Sequence, residues 1–147
     1  MLKEVIKISH ITNIRVRYAD TDKMGFVYNG EYLAYFEVGR AELMRSVGLP
    51  YSEFEKSGYF LPLTEAHLDF KNPAYYDDLL SVKATLKFDF YKATIKIIYN
   101  IFRINTTIAE GYTVHTFLKS DSGKPVKPPK IFVDAILAEF KKGNPGS

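Results

Sequence analysis

Leu80, Val82, Ala84, Leu86, Phe88 and Phe90 alternate with Ser81, Lys83, Thr85, Lys87 and Asp89 along "LLSVKATLKFDF". A period of two over this length predicts a strand with one buried face. "ITNIRVRY", residues 11–18, repeats the pattern, with Ile14, Val16 and Tyr18 on one side and Arg15 and Arg17 on the other. "ATIKIIYNIFRI" and "TIAEGYTVHTFLK" continue it without a proline, separated at Asn105 and Thr106, and together predict a long antiparallel meander.

From Asn29 the spacing changes. "NGEYLAYFEVGRAELMRSVG" sets Leu33, Phe36, Arg40, Met44 and Val47 at steps of three and four, with Tyr32 and Leu43 beside that stripe, as one long helix requires. Asn29 is the expected N-cap, Glu31 lies in the positive first turn, and Gly48 followed by Pro50 supplies the stop. Gly39 in mid-helix costs about 1 kcal/mol relative to alanine, which a close approach to a neighbouring element would explain. "PYSEFEKSG" reads as a short helical turn, and "KIFVDAILAEFKK" as a closing amphipathic helix.

One strand, one long helix and about four further strands predict an α+β domain in which a single helix covers one face of one sheet. Apolar side chains on both faces of residues 95–104 point to burial of the second face against another subunit. We expect one domain over residues 1–141, with a disordered tail at 142–147.

Composition narrows the chemistry. The 147 residues contain no cysteine, which excludes disulfides, thiolate zinc sites and a cysteine nucleophile. Twenty Lys and Arg against seventeen Asp and Glu, spread along the chain, argue against a nucleic-acid partner. The N-terminal "MLKEVIKISH" has no continuous apolar run, so no membrane span is expected there and a cytoplasmic location is. Lys119, Lys124, Lys127 and Lys130 cluster near the C-terminus, as a solvated face or as a grip for an anionic tail.

Candidate chemistry concentrates in "DTDKMGFVYNGE", residues 20–31. Asp20, Asp22, Gly25, Val27 and Glu31 fall at calcium-loop positions, but Met24 stands where an oxygen ligand is needed and a strand, not a helix, precedes the loop. The remaining reading is a turn from a strand into a helix N-terminus. There, unpaired backbone N–H groups suit a developing oxyanion, and a nearby carboxylate can attack or activate water. Spacing alone equally allows Asp20 and Asp22 to be turn-capping residues.

"RYADTDKMGFVYNGEYLAYFEVGRAE", residues 17–42, resembles the N-terminal signature of the hotdog-fold acyl-CoA thioesterases of the 4-hydroxybenzoyl-CoA thioesterase type, including the YbgC-like branch. "FKNPAYYDDLLSV", residues 70–82, is similar to the family's aromatic-x-x-P-A-x-x-D-D segment. The resemblance implies a hotdog fold, an antiparallel sheet wrapped around the central helix, and hydrolysis of an acyl-CoA or acyl carrier protein thioester. Asp22 matches the catalytic carboxylate, as nucleophile through an acyl anhydride or as general base. The Asn29 backbone N–H matches the donor that polarises the thioester oxygen; many relatives carry His or an aromatic there.

Glu65 and Thr64 fall where some relatives line the cleft, with Glu65 able to orient water. Tyr28, Tyr32 and Phe60 are candidates to line an acyl tunnel, and Lys127 and Lys130 to hold the nucleotide end of coenzyme A. Glu37 with Arg40, and Asp77 with Asp78, match family positions but read as structural. The resemblance further implies no metal, no cofactor apart from the coenzyme A of the substrate, and a homodimer or homotetramer joined edge to edge with active sites at the interface.

His10, His67 and His115 form no base constellation with Asp22 in the sequence, which argues against the first alternative, a hotdog hydratase or dehydratase. The second is a hotdog module that binds acyl-CoA without turnover; retention of Asp22 argues against it.

Overall fold

A computed structural model of the chain describes residues 5–143. β1 (Ile6–Arg15) leads through a single 3-10 turn (Tyr18–Asp20) and a short hairpin into α1 (Glu31–Ser46). Then come α2 (Tyr51–Lys56), β2 (Tyr59–Phe60), β3 (Leu63–Phe70), β4 (Leu79–Phe88), β5 (Thr94–Arg103), β6 (Thr106–Thr116), β7 (Leu118–Lys119) and α3 (Lys130–Gly143). Five strands form one antiparallel sheet in the order β1-β4-β5-β6-β3, and β2 pairs with β7 in a separate ribbon. This is the expected α+β layout.

The alternation in β4 buries Leu80, Val82, Ala84, Leu86 and Phe88 on the face that α1 covers. β5 adds Ile95, Ile97, Tyr99 and Ile101. A large apolar side chain fully buried in this way contributes roughly 1.5–3 kcal/mol. α1 turns Tyr32, Tyr35, Phe36, Gly39, Leu43 and Met44 inward, and the Phe36 ring stacks on Tyr99 at 4.1 Å. Gly39 sits against the sheet: a Cβ there would lie 2.8 Å from Val82 Cγ1, the close approach its mid-helix position demands.

Several local expectations differ. Leu33 is 41% exposed, because the buried stripe of α1 is rotated toward Tyr35 and Gly39. Tyr18 leaves the strand in the 3-10 turn and is 76% exposed. Phe90 lies beyond the end of β4, and the β5–β6 turn is made by Ile104 and Asn105, one residue earlier than expected. At the C-terminus α3 takes in Lys142 and Gly143, while residues 144–147 lie outside those described.

The strands define two ends of the molecule. Antiparallel pairing sets Arg15, Leu79, Arg103, Thr106 and Phe70 at one end, and Ile6, Phe88, Thr94, Thr116 and Leu63 at the other. α3 closes the second end, with Phe132 packed against Phe54, Phe88 and Phe117. β3 is an edge strand whose residues, apart from half-buried Leu68, are all exposed.

Candidate functional site

The loop from Asp20 to Tyr28 is a small hairpin at the first end of the sheet. Tyr28 N–H donates to the Asp20 carbonyl at 2.9 Å, Thr21 bridges to Val27, and Asp22 N–H donates to the Phe26 carbonyl at 2.9 Å. Gly25 closes the turn at φ +88°, a left-handed conformation that side chains disfavour. The Asp22 carboxylate accepts the Met24 N–H through Oδ1 at 2.9 Å. Its second oxygen has no protein partner among the described residues, and the residue is partly exposed. The turn-capping and chemical readings of Asp22 are therefore compatible: one oxygen caps, the other is free.

The return arm of the hairpin runs directly into α1. Tyr28 and Asn29 supply carbonyls to the amides of Glu31 and Tyr32, at 2.9 and 3.4 Å. The Asn29 and Gly30 N–H groups have no protein acceptor among the described residues. Asn29 is not the side-chain N-cap expected from sequence: Gly30 takes that place, and no side chain caps the helix. The helix start therefore presents free amide donors at the positive end of its dipole. The Tyr28 ring, 59% exposed, lies over Gly30, within 2.8 Å of where a Cβ would stand.

Beside this helix start opens a cleft of about 240 Å³ lined by Phe26, Val27, Asn29, Tyr32, Phe70, Lys71, Asn72 and Pro73. The 71–78 loop that walls it is itself braced. Arg103 donates to Asp78 Oδ2 at 2.7 Å, the same oxygen accepts the Tyr75 N–H at 2.9 Å, and Val27 N–H donates to the Ala74 carbonyl at 2.9 Å. Asp78 is thus structural, and Asp77 turns the chain at φ 70°.

Other candidates are not brought to the cleft within one chain. Glu65 and Thr64 lie in the far half of β3, where Tyr112 donates to Glu65 Oε2 at 2.7 Å on the outer sheet face and Thr64 donates to the Val114 carbonyl at 3.2 Å. Glu65 lies five strand steps from Phe70, roughly 17 Å. Lys130 opens α3 and Lys127 precedes it, both at the opposite end of the sheet from Asp22; Lys130 pairs with Asp134 at 2.7 Å. Phe60 belongs to the β2–β7 ribbon, while Tyr32 does line the cleft.

The histidines also stay apart. His67 stacks on Tyr112 and meets Asp69 at 3.2 Å on the outer face. His115 is buried in a chain of hydrogen bonds that joins Tyr99, Thr113, His115 and the Leu61 carbonyl, at 2.7, 2.9 and 3.2 Å. Burial first, and the charge of Arg40 second, push His115 down to about 4 despite the Leu61 carbonyl, so it is neutral. Among the described residues no group of three or more His, Asp or Glu could hold a metal ion, and no helix is long and apolar enough to cross a membrane.

Sequence reasoning missed the lining by Phe26, Asn72 and Pro73 and the partners of Asp20. Phe70 and Pro73 stand in the second motif, which was the available signal for the first of these.

The model of the "Thioesterase-like superfamily" matches residues 16–139. The Bacillus subtilis (strain 168) protein YneP is 32% identical over 82% of this chain and 88% of its own length. "Acyl-CoA thioesterase YbgC" of Helicobacter pylori (strain 26695) is 29% identical over 86% and 81%. The crystal structure of a DHNA-CoA thioesterase from Staphylococcus aureus superposes with a TM-score of 0.80 at 30% identity, covering 95% of each chain.

Proposed function

The chain belongs to the thioesterase-like superfamily, and from that membership we propose that it hydrolyses an acyl-CoA thioester to a free acid and coenzyme A. The observation that carries the residue assignment is the hairpin that ends in α1. One of its arms bears a carboxylate with an unoccupied oxygen, and the other ends in free backbone donors. In this reading Asp22 acts on the thioester carbonyl as nucleophile or general base. The N–H of Asn29 stabilises the oxyanion that forms when the carboxylate or the activated water adds to the carbonyl, and that collapses as the C–S bond breaks and the coenzyme A thiolate leaves. A backbone donor does not depend on the side chain, so asparagine serves where relatives carry other residues. The chemistry needs no metal and no cofactor beyond the coenzyme A of the substrate, and we place it in the cytoplasm.

The same reading makes the protein a homodimer or homotetramer. Among the described residues β3 offers an exposed, unpaired edge eight residues long, a surface that proteins cover or blunt. Antiparallel pairing of two such edges about a two-fold axis sets the Leu63 end of one copy beside the Phe70 end of the other. Glu65, Thr64, Lys127 and Lys130 of one copy are thereby carried toward the Asp22 end of its partner, which accounts for their distance within one chain.

The test is thiol release by the purified protein from a panel of short, long and aromatic acyl-CoAs. Turnover on at least one is expected. Acyl-CoA binding without turnover on any of them would make the protein a non-catalytic binder instead.

A further inference from the structure

Asp20, two residues before the proposed catalytic carboxylate, is only 2% exposed, and its side chain accepts four hydrogen bonds. Arg17 donates its backbone N–H at 3.0 Å, its Nε at 3.2 Å and its Nη2 at 3.0 Å; the Tyr35 hydroxyl donates at 2.9 Å. Its own carbonyl accepts the Tyr28 N–H at the base of the hairpin. One residue therefore ties together the exit of β1 through Arg17, the second turn of α1 through Tyr35, and the return arm of the hairpin through Tyr28. A buried charge is tolerated only with such a partner set. Burial would raise the Asp20 carboxyl, but the bonds from Arg17 and Tyr35 outweigh it and leave it below the ordinary carboxylate range.

The consequence is geometric. The arm leaving Asp20 carries Asp22, and the arm bonded to Asp20 delivers Asn29 one residue later. Tyr35 fixes both to the helix whose N-terminus supplies the donors. We propose that Asp20 is a positioning residue for thioester hydrolysis, setting the separation between the Asp22 carboxylate and the Asn29 amide. The inference rests on the assignment of Asp22 and Asn29 above. All four donors to its carboxylate belong to the protein, so Asp20 acts through the hairpin. A misplacement of about 1 Å between reacting groups costs on the order of 10²-fold in rate.

The experiment compares wild type, Asp20→Asn, Tyr35→Phe, Asp22→Asn and the double variant Asp20→Asn/Asp22→Asn, at a temperature where melting curves show each one folded. Thiol release should give Asp20→Asn a kcat lower by at least about tenfold with KM within about twofold of wild type, and Tyr35→Phe a smaller change in the same direction. Because Asp20 and Asp22 serve the same step through one hairpin, the double variant should be slowed by clearly less than the product of the two single factors. A wild-type kcat in folded Asp20→Asn, or a double variant slowed by the full product of the two single factors, overturns the proposal while leaving the functional reading in place. An Asp22→Asn variant as fast as wild type overturns the reading itself, and this proposal with it. Should Asp20→Asn not fold, Tyr35→Phe decides: a lowered kcat at constant KM supports positioning, and an unchanged kcat removes it.

Discussion

Two polar clusters, one inside the core and one at the end of the sheet, are bonded in different ways. Between α1 and the middle of the sheet, Tyr99, Thr113 and His115 form a closed chain that ends on the Leu61 carbonyl and leaves these side chains nothing to offer a ligand. At the end of the sheet, the hairpin from Asp20 to Asn29 is as well bonded at its base, yet one oxygen of Asp22 and the amides of Asn29 and Gly30 are left open. Satisfied polar groups in a low-dielectric interior specify structure, and open ones on a rigid frame can do chemistry. Substitutions in the first cluster should therefore change stability, and substitutions at the open atoms should change rate.

The largest effect that would test this division lies at Gly111, opposite Tyr99 in β6. A Cβ there would lie 2.1 Å from the His67 carbonyl and 2.8 Å from the Phe36 ring. Gly111→Ala should cost about 3 kcal/mol or more, read as a collapse of the melting temperature or of folded yield. Recovery of a variant with wild-type stability would break the picture of a tightly closed interior.

Acid is the next lever. The unfolded chain protonates histidine near 6.5, the folded chain only near 4. As pH falls through that window the unfolded state binds more protons. The contribution of neutral His115 is complete above 6.5 and is lost toward 4, roughly 3 kcal/mol in all. Urea unfolding at a series of pH values should show this slope, and His115→Leu should flatten it. The difference between the two proteins isolates the histidine from Glu31, whose carboxyl is pushed up by burial and by Asp20 and so slopes the opposite way.

Gly39→Ala sharpens the contrast at intermediate size. Its Cβ meets Val82 Cγ1 at 2.8 Å, and overpacking should cost about 1–3 kcal/mol in denaturant unfolding while kcat per folded molecule holds. The smallest effect belongs to Glu37→Gln, which removes a mostly exposed partner 3.9 Å from Arg40. Stability should change by less than about 1 kcal/mol and turnover not at all; a large loss of rate would carry the reactive region further along α1 than its open atoms do.

Local patterns were legible, and tertiary pairings were not. The period of two in residues 79–88 and the three-four spacing from residue 31 each reflect one element's own geometry, so β4 and α1 could be read directly. The two aspartates before Gly25 marked the turn for the same reason. The face of α1 was misjudged by Leu33 because burial there is decided by which sheet residues lie beneath, here Val82 and Tyr99 around Gly39. The expected Asn29 cap failed because the hairpin enters the helix through Gly30, already in helical conformation. Asp20 and Tyr35 are fifteen residues apart, and only the folding of α1 over the end of β1 brings them to 2.9 Å. Glu65 illustrates the reverse: its position in the sequence is legible, but within one chain its carboxylate bonds Tyr112 on the outer sheet face, away from the cleft.

The central claim is that the free oxygen of Asp22 performs the reaction. The most direct measurement is kcat of Asp22→Asn against wild type on the best acyl-CoA of the panel, with both proteins shown to be folded. The amide keeps the turn bond to Met24 and removes only the charge. We predict a fall of at least about 10³-fold with KM little changed; turnover within about threefold of wild type would contradict the account.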